Sequence, residues 1–281
     1  MPAAIPFSEA TRDLIRLALL EDLISGDVTT DAIFAPDDRV TAFFVAKEPL
    51  VVAGLPIVRA VFERVDPDCT FTWSAADGDR VEPGTIGTVE GPVRSVLKAE
   101  RPALNFMRHL SGVATLTRRC VDLLGDSTTR LVDTRKTTPG FRELEKYAVR
   151  CGGGFNHRYN LGSGAMIKDN HIAAAGSIAL AVQRVRDHAP FLTRIEVEVT
   201  NFDELDQAIA AGADAVLLDN MSTPMMREAV TRVGGRAIVE ASGNITAERL
   251  GELADVGLDI ISSGALTHSA PNVDISLRFE A

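Results

Sequence analysis

The chain has 281 residues, of which 46% are hydrophobic and 24% are charged, and its formal net charge is -10. A chain of this length can bury a substantial core in one large domain or two smaller ones. Its acidic balance argues against nonspecific binding to nucleic acid or to anionic membranes. We therefore expect neither nucleic acid nor a membrane among its partners.

Cysteine content and the start of the chain indicate a cytoplasmic protein. Cys69, Cys120 and Cys151 are odd in number and widely spaced, so neither a disulfide framework nor a zinc site follows from them. The stretch up to Asp13 lacks a basic patch followed by an apolar run, and we expect it not to be a signal peptide. No apolar run approaches the roughly 20 residues that span a bilayer.

The N-terminal part of the chain is typical of one helix followed by short strands. Residues 8–23 start at the candidate N-cap Ser8 and carry apolar residues at helical spacing. From about 39 to 97, short β-rich runs are separated by Gly, Pro and Asp, as in antiparallel sheets. Helical sequence from 93 to 125 follows, and we expect Ser111-Gly112 to break it into two helices.

After residue 129, short apolar runs alternate with helical segments. The helices centre on 141–150, 173–187, 201–211, 224–233 and 246–255. This alternation predicts a parallel sheet, either closed into a barrel or doubly wound. Six strands are clear and a seventh is a candidate, so the sequence shows no complete eight-fold repeat.

Polar groups follow each of the six strands. They are Asp133–Lys136, Lys168–Asn170, Glu198, Asp219-Asn220, Glu240 with Ser242–Asn244, and Ser262–Ala265. Barrel enzymes collect their chemistry in the loops at the C-terminal face, whereas doubly wound sheets concentrate it at one switch point. Six contributing strands therefore favour the barrel.

Positive charge is concentrated between Asp133 and His171, where seven Arg or Lys residues stand against four Asp or Glu residues. A basic island in an acidic protein predicts a pocket for a small polyanion; chance clustering on a solvated surface is the alternative. Gly152–Gly154 are expected to end a helix and to permit backbone geometry closed to other residues. His157 and Arg158 follow, and the planar arginine fork binds carboxylate or phosphate bidentately.

Two further patterns indicate ligand-facing groups at strand ends. Glu196 and Glu198 alternate with apolar residues, so they would face the barrel interior and need cationic, metal or hydroxyl partners; an exposed edge strand is the alternative. The turns Ser242–Asn244 and Ser263–Ala265 each place Ser-Gly after a strand, where backbone N–H groups can hold phosphate. Ordinary turns are the alternative for each of them taken alone.

Several runs together resemble the quinolinate phosphoribosyltransferase family. They are EDLISGDVTTDAI, AERPALNFMRHLSGVATLT, DTRKTTPGFRELEKYAVRCGGGFNHR, IKDNHI, IEVEV, LLDNM, EASGNI and SSGALT. They occur in family order and cover nearly the whole chain. The 26-residue run from Asp133 to Arg158 is by itself a highly specific signature.

The resemblance implies a reaction and an architecture. Quinolinate and 5-phosphoribosyl 1-pyrophosphate would give nicotinate mononucleotide, pyrophosphate and CO2, with Mg2+, in de novo NAD biosynthesis. The α/β fold would consist of an N-terminal α/β sandwich domain with an antiparallel sheet, at residues 1–110 and completed by 268–281, and an incomplete, six- to seven-stranded parallel α/β barrel at 111–267. The protein would be a homodimer with shared active sites, or a higher oligomer, in the cytoplasm.

The resemblance also implies a set of site residues. The quinolinate carboxylates would be bound by Arg135, Arg158 and Lys168, with His157 adjacent and Arg101 contributed by the partner subunit. Phosphoribosyl pyrophosphate would meet Lys136, ribose hydroxyls or magnesium would meet Glu198 and Asp219, and the 5′-phosphate would meet Ser242, Gly243, Asn244, Ser263, Gly264 and Ala265. Thr134 also belongs to the substrate-binding residues, and the candidate catalytic residues are Lys136, Lys168, Glu198 and Asp219.

Two positions depart from the family pattern, and two other kinds of protein are alternatives. Ser163 stands where many bacterial relatives carry Asp, and Pro102 where Thr is usual; we expect both to modify loop shape. A Schiff-base aldolase with Lys168 as nucleophile would leave the arginines unexplained. A non-catalytic binder of phosphate or sugar acids would bind phosphoribosyl pyrophosphate without consuming it. Within the family, a relative associated with molybdate uptake shares much of the motif set, and its substrate is not settled.

Overall fold

A computed structural model describes residues 7–280 of the chain. Met1–Pro6, which begin both the stretch expected not to be a signal peptide and the predicted first domain, lie outside the described residues. Ala281, the last residue of the segment predicted to complete that domain, also lies outside them. Within residues 7–280, no helix is both long enough and apolar enough to cross a membrane.

The helices and strands follow one another in an order that changes after the fourth helix. In chain order they are α1 (Glu9–Leu23), α2 (Val28–Ile33), β1 (Arg39–Ala46), β2 (Leu50–Val51), α3 (Leu55–Val65), β3 (Thr70–Trp73), β4 (Arg80–Val81), β5 (Gly84–Pro92), α4 (Val93–Leu123), β6 (Arg130–Val132), α5 (Arg142–Cys151), β7 (Ala165–Ile167), α6 (Asp169–Ala175), α7 (Ile178–His188), β8 (Ile195–Val199), α8 (Phe202–Ala210), β9 (Ala215–Asp219), α9 (Thr223–Val233), β10 (Ile238–Ser242), α10 (Ala247–Leu253), β11 (Ile260–Ser262), α11 (Ala265–His268) and β12 (Ile275–Arg278).

The described chain forms two compact units. The first contains the residues up to Arg118, the segment Thr137–Gly153 and the chain from Leu266 onward. The second contains Arg119–Lys136 and Gly154–Ala265. The domain boundaries predicted from the sequence stay predictions.

The first unit is built on an antiparallel sheet. Its four strands have the order β12-β1-β5-β3, and β2 and β4 form a separate two-stranded ribbon. Phe44 on β1 and Phe62 on α3 are fully buried and meet edge-to-face, with ring centroids 6.2 Å apart. Phe71 stacks on Trp73 at 5.5 Å, so aromatic side chains from the sheet and from α3 form this core. This antiparallel sheet packed against a helix confirms the N-terminal part of the predicted fold class.

The helical sequence from 93 to 125 forms one helix, α4, and the predicted break at Ser111-Gly112 was wrong. Ser111 is fully buried, and its Oγ accepts a hydrogen bond from the Ala53 N–H at 3.0 Å. A Cβ on Gly112 would lie 2.1 Å from the backbone oxygen of Pro271. The two small residues therefore permit close packing of a continuous helix. Pro102 also lies buried inside α4, not in a loop as expected.

Helix α5 belongs to the first unit although strands of the second unit flank it in sequence. The Tyr147 hydroxyl donates to Oδ2 of Asp77 at 2.6 Å. The fully buried carboxylate of Glu145 lies 2.9 Å from Nε2 of His109. These contacts fasten α5 to the first unit, so the chain leaves the second unit after Lys136 and returns to it at Gly154.

The second unit contains six parallel strands in the order β6-β11-β10-β9-β8-β7. Strands that follow one another in the chain are neighbours from β7 to β11, and the last strand pairs with the first, β6, as in a barrel. Among the described strands, β6 and β7 do not pair with each other. Phe155 instead makes a single parallel bridge to Val132 on β6. The unit is an incomplete barrel, and this bridge is the only trace of a seventh strand within residues 7–280.

The helices of the second unit follow the predicted rhythm with one difference. The segment predicted as a single helix at 173–187 is two helices, α6 and α7, because Gly176 ends α6 in a left-handed conformation (φ +97°). Ser177 then caps α7 by accepting from the Leu180 N–H at 3.1 Å. A Gly–Ser pair thus makes a helix stop and a helix start in two residues.

Candidate active site

Asp133, directly after β6, ties two loops of the second unit together. Its side chain is fully buried. One carboxylate oxygen accepts from Nδ2 of Asn156 at 2.6 Å, and the other accepts from the backbone N–H of His157 at 2.9 Å. The start of the DTRK loop therefore fixes the position of the NHR loop.

The imidazole of His157 lies between two buried carboxylates in the barrel interior. Its Nε2 is 3.3 Å from Oε2 of Glu196 on β8 and 3.3 Å from Oε2 of Glu240 on β10. Burial lowers the pKa of His157, but the two carboxylates outweigh it and raise that pKa to about 10. Burial also raises the pKa of Glu196 above its ordinary value, although His157 opposes this shift.

The ligand atoms of His157, Glu196 and Glu240 all lie within 4.8 Å of one another, as in a metal centre. However, the two carboxylates that face Nε2 also hold its proton, because they raise the pKa of His157 to about 10. A protonated nitrogen has no lone pair for a metal. We therefore describe this trio as a hydrogen-bonded cluster.

Arg158 follows His157 and lies near Arg135. Its Nη1 donates to the backbone oxygen of Gly164 at 3.0 Å. Burial and the repulsion from the Arg135 guanidinium lower the pKa of Arg158. Because guanidinium groups stay charged in proteins, two of them held close together favour the binding of an anion.

Lys168 forms an ion pair with Glu198 between neighbouring strand ends. Lys168 follows β7, and its Nζ donates to Oε2 of Glu198 on β8. The side chain of Glu198 is 17% exposed and that of Lys168 is 43% exposed. The backbone N–H of Lys168 also donates to Nδ1 of His171 at 3.0 Å. Of the cationic, metal or hydroxyl partners expected for Glu196 and Glu198, the structure shows the cationic side chains His157 and Lys168.

Asp219 ends β9, next to the strand that carries Glu198. Its Oδ2 accepts from Nδ2 of Asn220 at 3.0 Å. Carboxylate oxygens are the protein ligands that Mg2+ prefers, so Glu198 and Asp219 together fit a magnesium ion by the chemistry of their donors.

The two Ser-Gly turns follow β10 and β11. In the first, Gly243 has φ +90°, which only glycine adopts readily. In the second, the backbone N–H of Ser263 donates to the Val132 oxygen of β6 at 3.0 Å, which continues the β11–β6 pairing. At the DTRK loop, the backbone N–H of Lys136 donates to Oγ1 of Thr134 at 3.0 Å.

The second unit contains every residue of the predicted site except one. Arg101 belongs to the first unit, where it lies exposed on α4. The others are Thr134, Arg135, Lys136, His157, Arg158, Lys168, Glu198, Asp219, Ser242, Gly243, Asn244, Ser263, Gly264 and Ala265.

The predicted set omitted four residues that hold the site together: Asp133, Glu196, Asn220 and Glu240. The alternating strand pattern did point Glu196 inward, but its partner His157 lies far away in the sequence. Glu240 precedes the end of β10 by two residues, and the same alternation would have placed it inside the barrel. Nothing in the sequence distinguished Asp133 as a buried acceptor from an ordinary strand-end carboxylate.

The models of the two domains of one protein family together match almost the whole chain. "Quinolinate phosphoribosyl transferase, N-terminal domain" matches residues 27–111. "Quinolinate phosphoribosyl transferase, C-terminal domain" matches residues 113–278.

Named relatives and a solved structure are similar over nearly the full length. The chain is 45% identical to the probable nicotinate-nucleotide pyrophosphorylase (carboxylating) of Synechocystis sp. over 264 residues, 92% of this chain and 89% of the relative. It is 42% identical to the protein of that name from Bacillus subtilis, over 95% of this chain and 92% of the relative. The crystal structure of NadC from Streptococcus pyogenes superimposes with a TM-score of 0.95 at 43% identity and covers 98% of each chain.

Proposed function

The chain belongs to the quinolinate phosphoribosyltransferase family, and we propose that it converts quinolinate and 5-phosphoribosyl 1-pyrophosphate to nicotinate mononucleotide, pyrophosphate and CO2. The family match and the full-length relatives named nicotinate-nucleotide pyrophosphorylase support this reaction. In the structure, Arg135 lies close enough to Arg158 to lower its pKa, and this concentration of positive charge supports the proposal. Both substrates are polyanions, and such a pair suits them.

The two carboxylates of quinolinate would be bound by three cationic side chains, which are Arg135 after β6, Arg158 in the loop between α5 and β7, and Lys168 after β7. Arg135 and Arg158 offer planar forks, and Lys168 offers a compact ammonium. The buried contacts of Asp133 hold the loop before Arg158 in place, which keeps the second fork oriented. Arg135 and Arg158 repel each other before binding, so a dianion that lies between them relieves this repulsion.

Phosphoribosyl pyrophosphate would lie along the ends of β8 to β11. The 5′-phosphate would accept hydrogen bonds from the backbone at Ser242–Asn244 and Ser263–Ala265, and Lys136 would face the pyrophosphate. Glu198 and Asp219 would bind ribose hydroxyls and stabilise the positive charge that develops at C1 as pyrophosphate leaves. Attack by the pyridine nitrogen on C1 then gives a pyridinium. When the bond from C2 to its carboxylate breaks and CO2 leaves, the electron pair stays on C2, where the positive charge of the adjacent nitrogen stabilises it.

Magnesium fits this site as a bound partner of the carboxylates of Glu198 and Asp219. When bound, Mg2+ would neutralise the charge of the pyrophosphate leaving group. The protein's own side chains position both substrates, and no protein nucleophile is required. The ammonium group of Lys168 forms an ion pair with Glu198. We propose that it returns a proton to C2 of the pyridine ring after CO2 has left.

We also propose that the protein forms a homodimer with shared active sites and that it is located in the cytoplasm. Large apolar side chains on α1, on α2 and between them are exposed, among them Ile24 at 73% and Val28 at 84%. Exposed apolar surface of this kind is typical of protein–protein interfaces. Arg101, exposed on α4, is the residue that would enter the partner's site. The free thiols of Cys69, Cys120 and Cys151 suit a reducing compartment.

The proposed reaction is tested by incubating the purified protein with quinolinate, phosphoribosyl pyrophosphate and Mg2+ and measuring nicotinate mononucleotide. We expect product that disappears when EDTA is added and returns with excess Mg2+. A folded protein that forms no product under these conditions would contradict the proposal. Product formation that is insensitive to EDTA would contradict the magnesium part alone.

A further inference from the structure

Asn220 joins two turns that follow the neighbouring strands β9 and β10. Its backbone N–H donates to the Ser242 oxygen at 3.1 Å. Its Nδ2 donates to Oδ2 of Asp219 at 3.0 Å, and its Oδ1 accepts from Nδ2 of Asn244 at 3.1 Å. One side chain thus connects the Asp219 carboxylate to the turn Ser242–Asn244.

Asn220 has a strained backbone conformation although its side chain is exposed to solvent. Asn220 has φ +52° and Asn244 has φ +47°, and within residues 7–280 they are the only non-glycine residues with positive φ. Asparagine tolerates this left-handed conformation better than most residues, but the conformation still has a cost. Both residues are exposed, so core packing does not offset the strain. Strain retained at exposed strand ends is typical of functional sites.

The neighbouring residues close around the Asn220 side chain. A Cβ on Gly243 would lie 2.2 Å from Oδ1 of Asn220, so this glycine allows the turn to approach the amide. The guanidinium of Arg249 binds both turns, with Nη1 donating to the Gly243 oxygen at 3.2 Å and Nη2 donating to the Met221 oxygen. The two turns are therefore held as one unit.

We propose that Asn220 is a positioning residue for the phosphoribosyl group, one that couples the Ser242–Asn244 turn to the orientation of the Asp219 carboxylate. This rests on the proposed function, which assigns both the turn and Asp219 to phosphoribosyl pyrophosphate. Asn220 acts through these neighbours and need not touch the substrate. Its loss weakens phosphoribosyl pyrophosphate binding and spares quinolinate, whose proposed ligands follow β6 and β7.

Asn220→Gly separates the side-chain hydrogen bonds from the backbone conformation, because glycine accepts positive φ without strain. We expect the KM for phosphoribosyl pyrophosphate to rise about ten-fold or more, as for the loss of a hydrogen bond to a charged group. The KM for quinolinate stays within about two-fold. The unfolding temperature changes little, because relief of the positive-φ strain offsets the greater freedom of glycine in the unfolded chain. Wild-type KM values for both substrates, or equal rises in both, would overturn the proposal.

Asn220→Asp is the second variant, and it removes the side-chain donor while keeping the acceptor for Asn244. We expect the KM for phosphoribosyl pyrophosphate to rise at least as much as in Asn220→Gly, because the new carboxylate cannot donate to Asp219. The KM for quinolinate stays within about two-fold. A wild-type KM for phosphoribosyl pyrophosphate in this variant would overturn the inference. An active wild type with an unaltered Asn220→Gly variant contradicts this inference alone and leaves the proposed function standing.

Discussion

His157 Nε2 lies 3.3 Å from Oε2 of Glu240, whose side chain is only 2% exposed. The second oxygen of this carboxylate, Oε1, is buried and has no hydrogen-bond partner in the structure. A buried carboxylate with one unsatisfied oxygen depends strongly on the partner that it has. His157 is therefore a structural cation of the barrel interior as well as a neighbour of Arg158.

The stability of the protein is expected to fall as the pH rises above neutral. His157 titrates near 6.5 when unperturbed and near 10 in the folded protein. A raised pKa stabilises the fold fully below pH 6.5, and the stabilisation is lost as the pH rises toward 10. Between about pH 6.5 and 8.5 we expect a loss of about 1–2 kcal/mol, measured by denaturant unfolding.

His157→Asn is the control for this pH dependence, because it removes the titrating ring. Its unfolding free energy should change less with pH than that of the wild type over the same range. The range stops short of the pH at which the thiols of Cys69 and Cys151 ionise, since burial raises their pKa values to about 11 and about 12. Parallel curves for the two proteins would mean that His157 is not held as a cation.

Gly112→Ala tests why α4 runs through a glycine without a break. Helix propensity alone predicts that alanine stabilises a helix interior by about 1 kcal/mol. The new Cβ would instead lie 2.1 Å from the Pro271 oxygen, so we expect a net loss of about 1–3 kcal/mol from overpacking. Gly251→Ala on α10 is the matched control, because nothing lies within 4 Å of its new Cβ. Stabilisation by both substitutions would show that the contact at Gly112 is not tight.

Arg158→Lys tests the proposed binding of a quinolinate carboxylate by the guanidinium of Arg158. Lysine keeps the positive charge but loses the planar fork and the bond from Nη1 to the Gly164 oxygen. We expect the KM for quinolinate to rise about ten-fold or more and the KM for phosphoribosyl pyrophosphate to change less than about two-fold. Arg184→Lys, at an exposed position on α7, is the control. A rise confined to phosphoribosyl pyrophosphate would place Arg158 in the other half of the site.

The proposed shared active site is tested by mixing two inactive variants. Arg101→Ala and Lys136→Ala would each damage both sites of their own homodimer. In a dimer that combines the two chains, one site contains both defects and the other contains neither. After co-expression we expect about a quarter of wild-type activity, with the fraction of mixed dimers measured by mass spectrometry. Mixed dimers that remain inactive would show that Arg101 serves its own chain or neither.

The alternation of strands and helices in the second unit could be predicted from the sequence because its signal is local, and the polar strand ends favoured a barrel. Each strand is a short apolar run with a polar group at its end, and β8 also alternates, with Ile195, Val197 and Val199 all fully buried. The cap of α1 was equally local, since Ser8 accepts from the Thr11 N–H at 3.2 Å. Helix α3 was missed inside the β-rich region, because its apolar run LPIVRAVF suits a strand as well as a helix.

What the sequence could not provide were pairings between distant residues. The packing of Gly112 on Pro271, the carboxylates around His157 and the contact of Tyr147 with Asp77 join residues that are far apart in the chain. A glycine that admits a neighbouring backbone has the same local sequence signature as one that breaks a helix. The placement of α5 in the first unit follows from such contacts and from no local pattern.

The central claim is that this protein joins quinolinate to a phosphoribosyl group and releases the C2 carboxylate. The most direct measurement uses quinolinate isotopically labelled in that carboxylate, with phosphoribosyl pyrophosphate and Mg2+, and quantifies labelled CO2 and nicotinate mononucleotide together; nicotinate replaces quinolinate in a parallel reaction. We predict equal amounts of the two products from quinolinate and no nucleotide from nicotinate. A nucleotide that retains the label, or efficient use of nicotinate, would contradict the account.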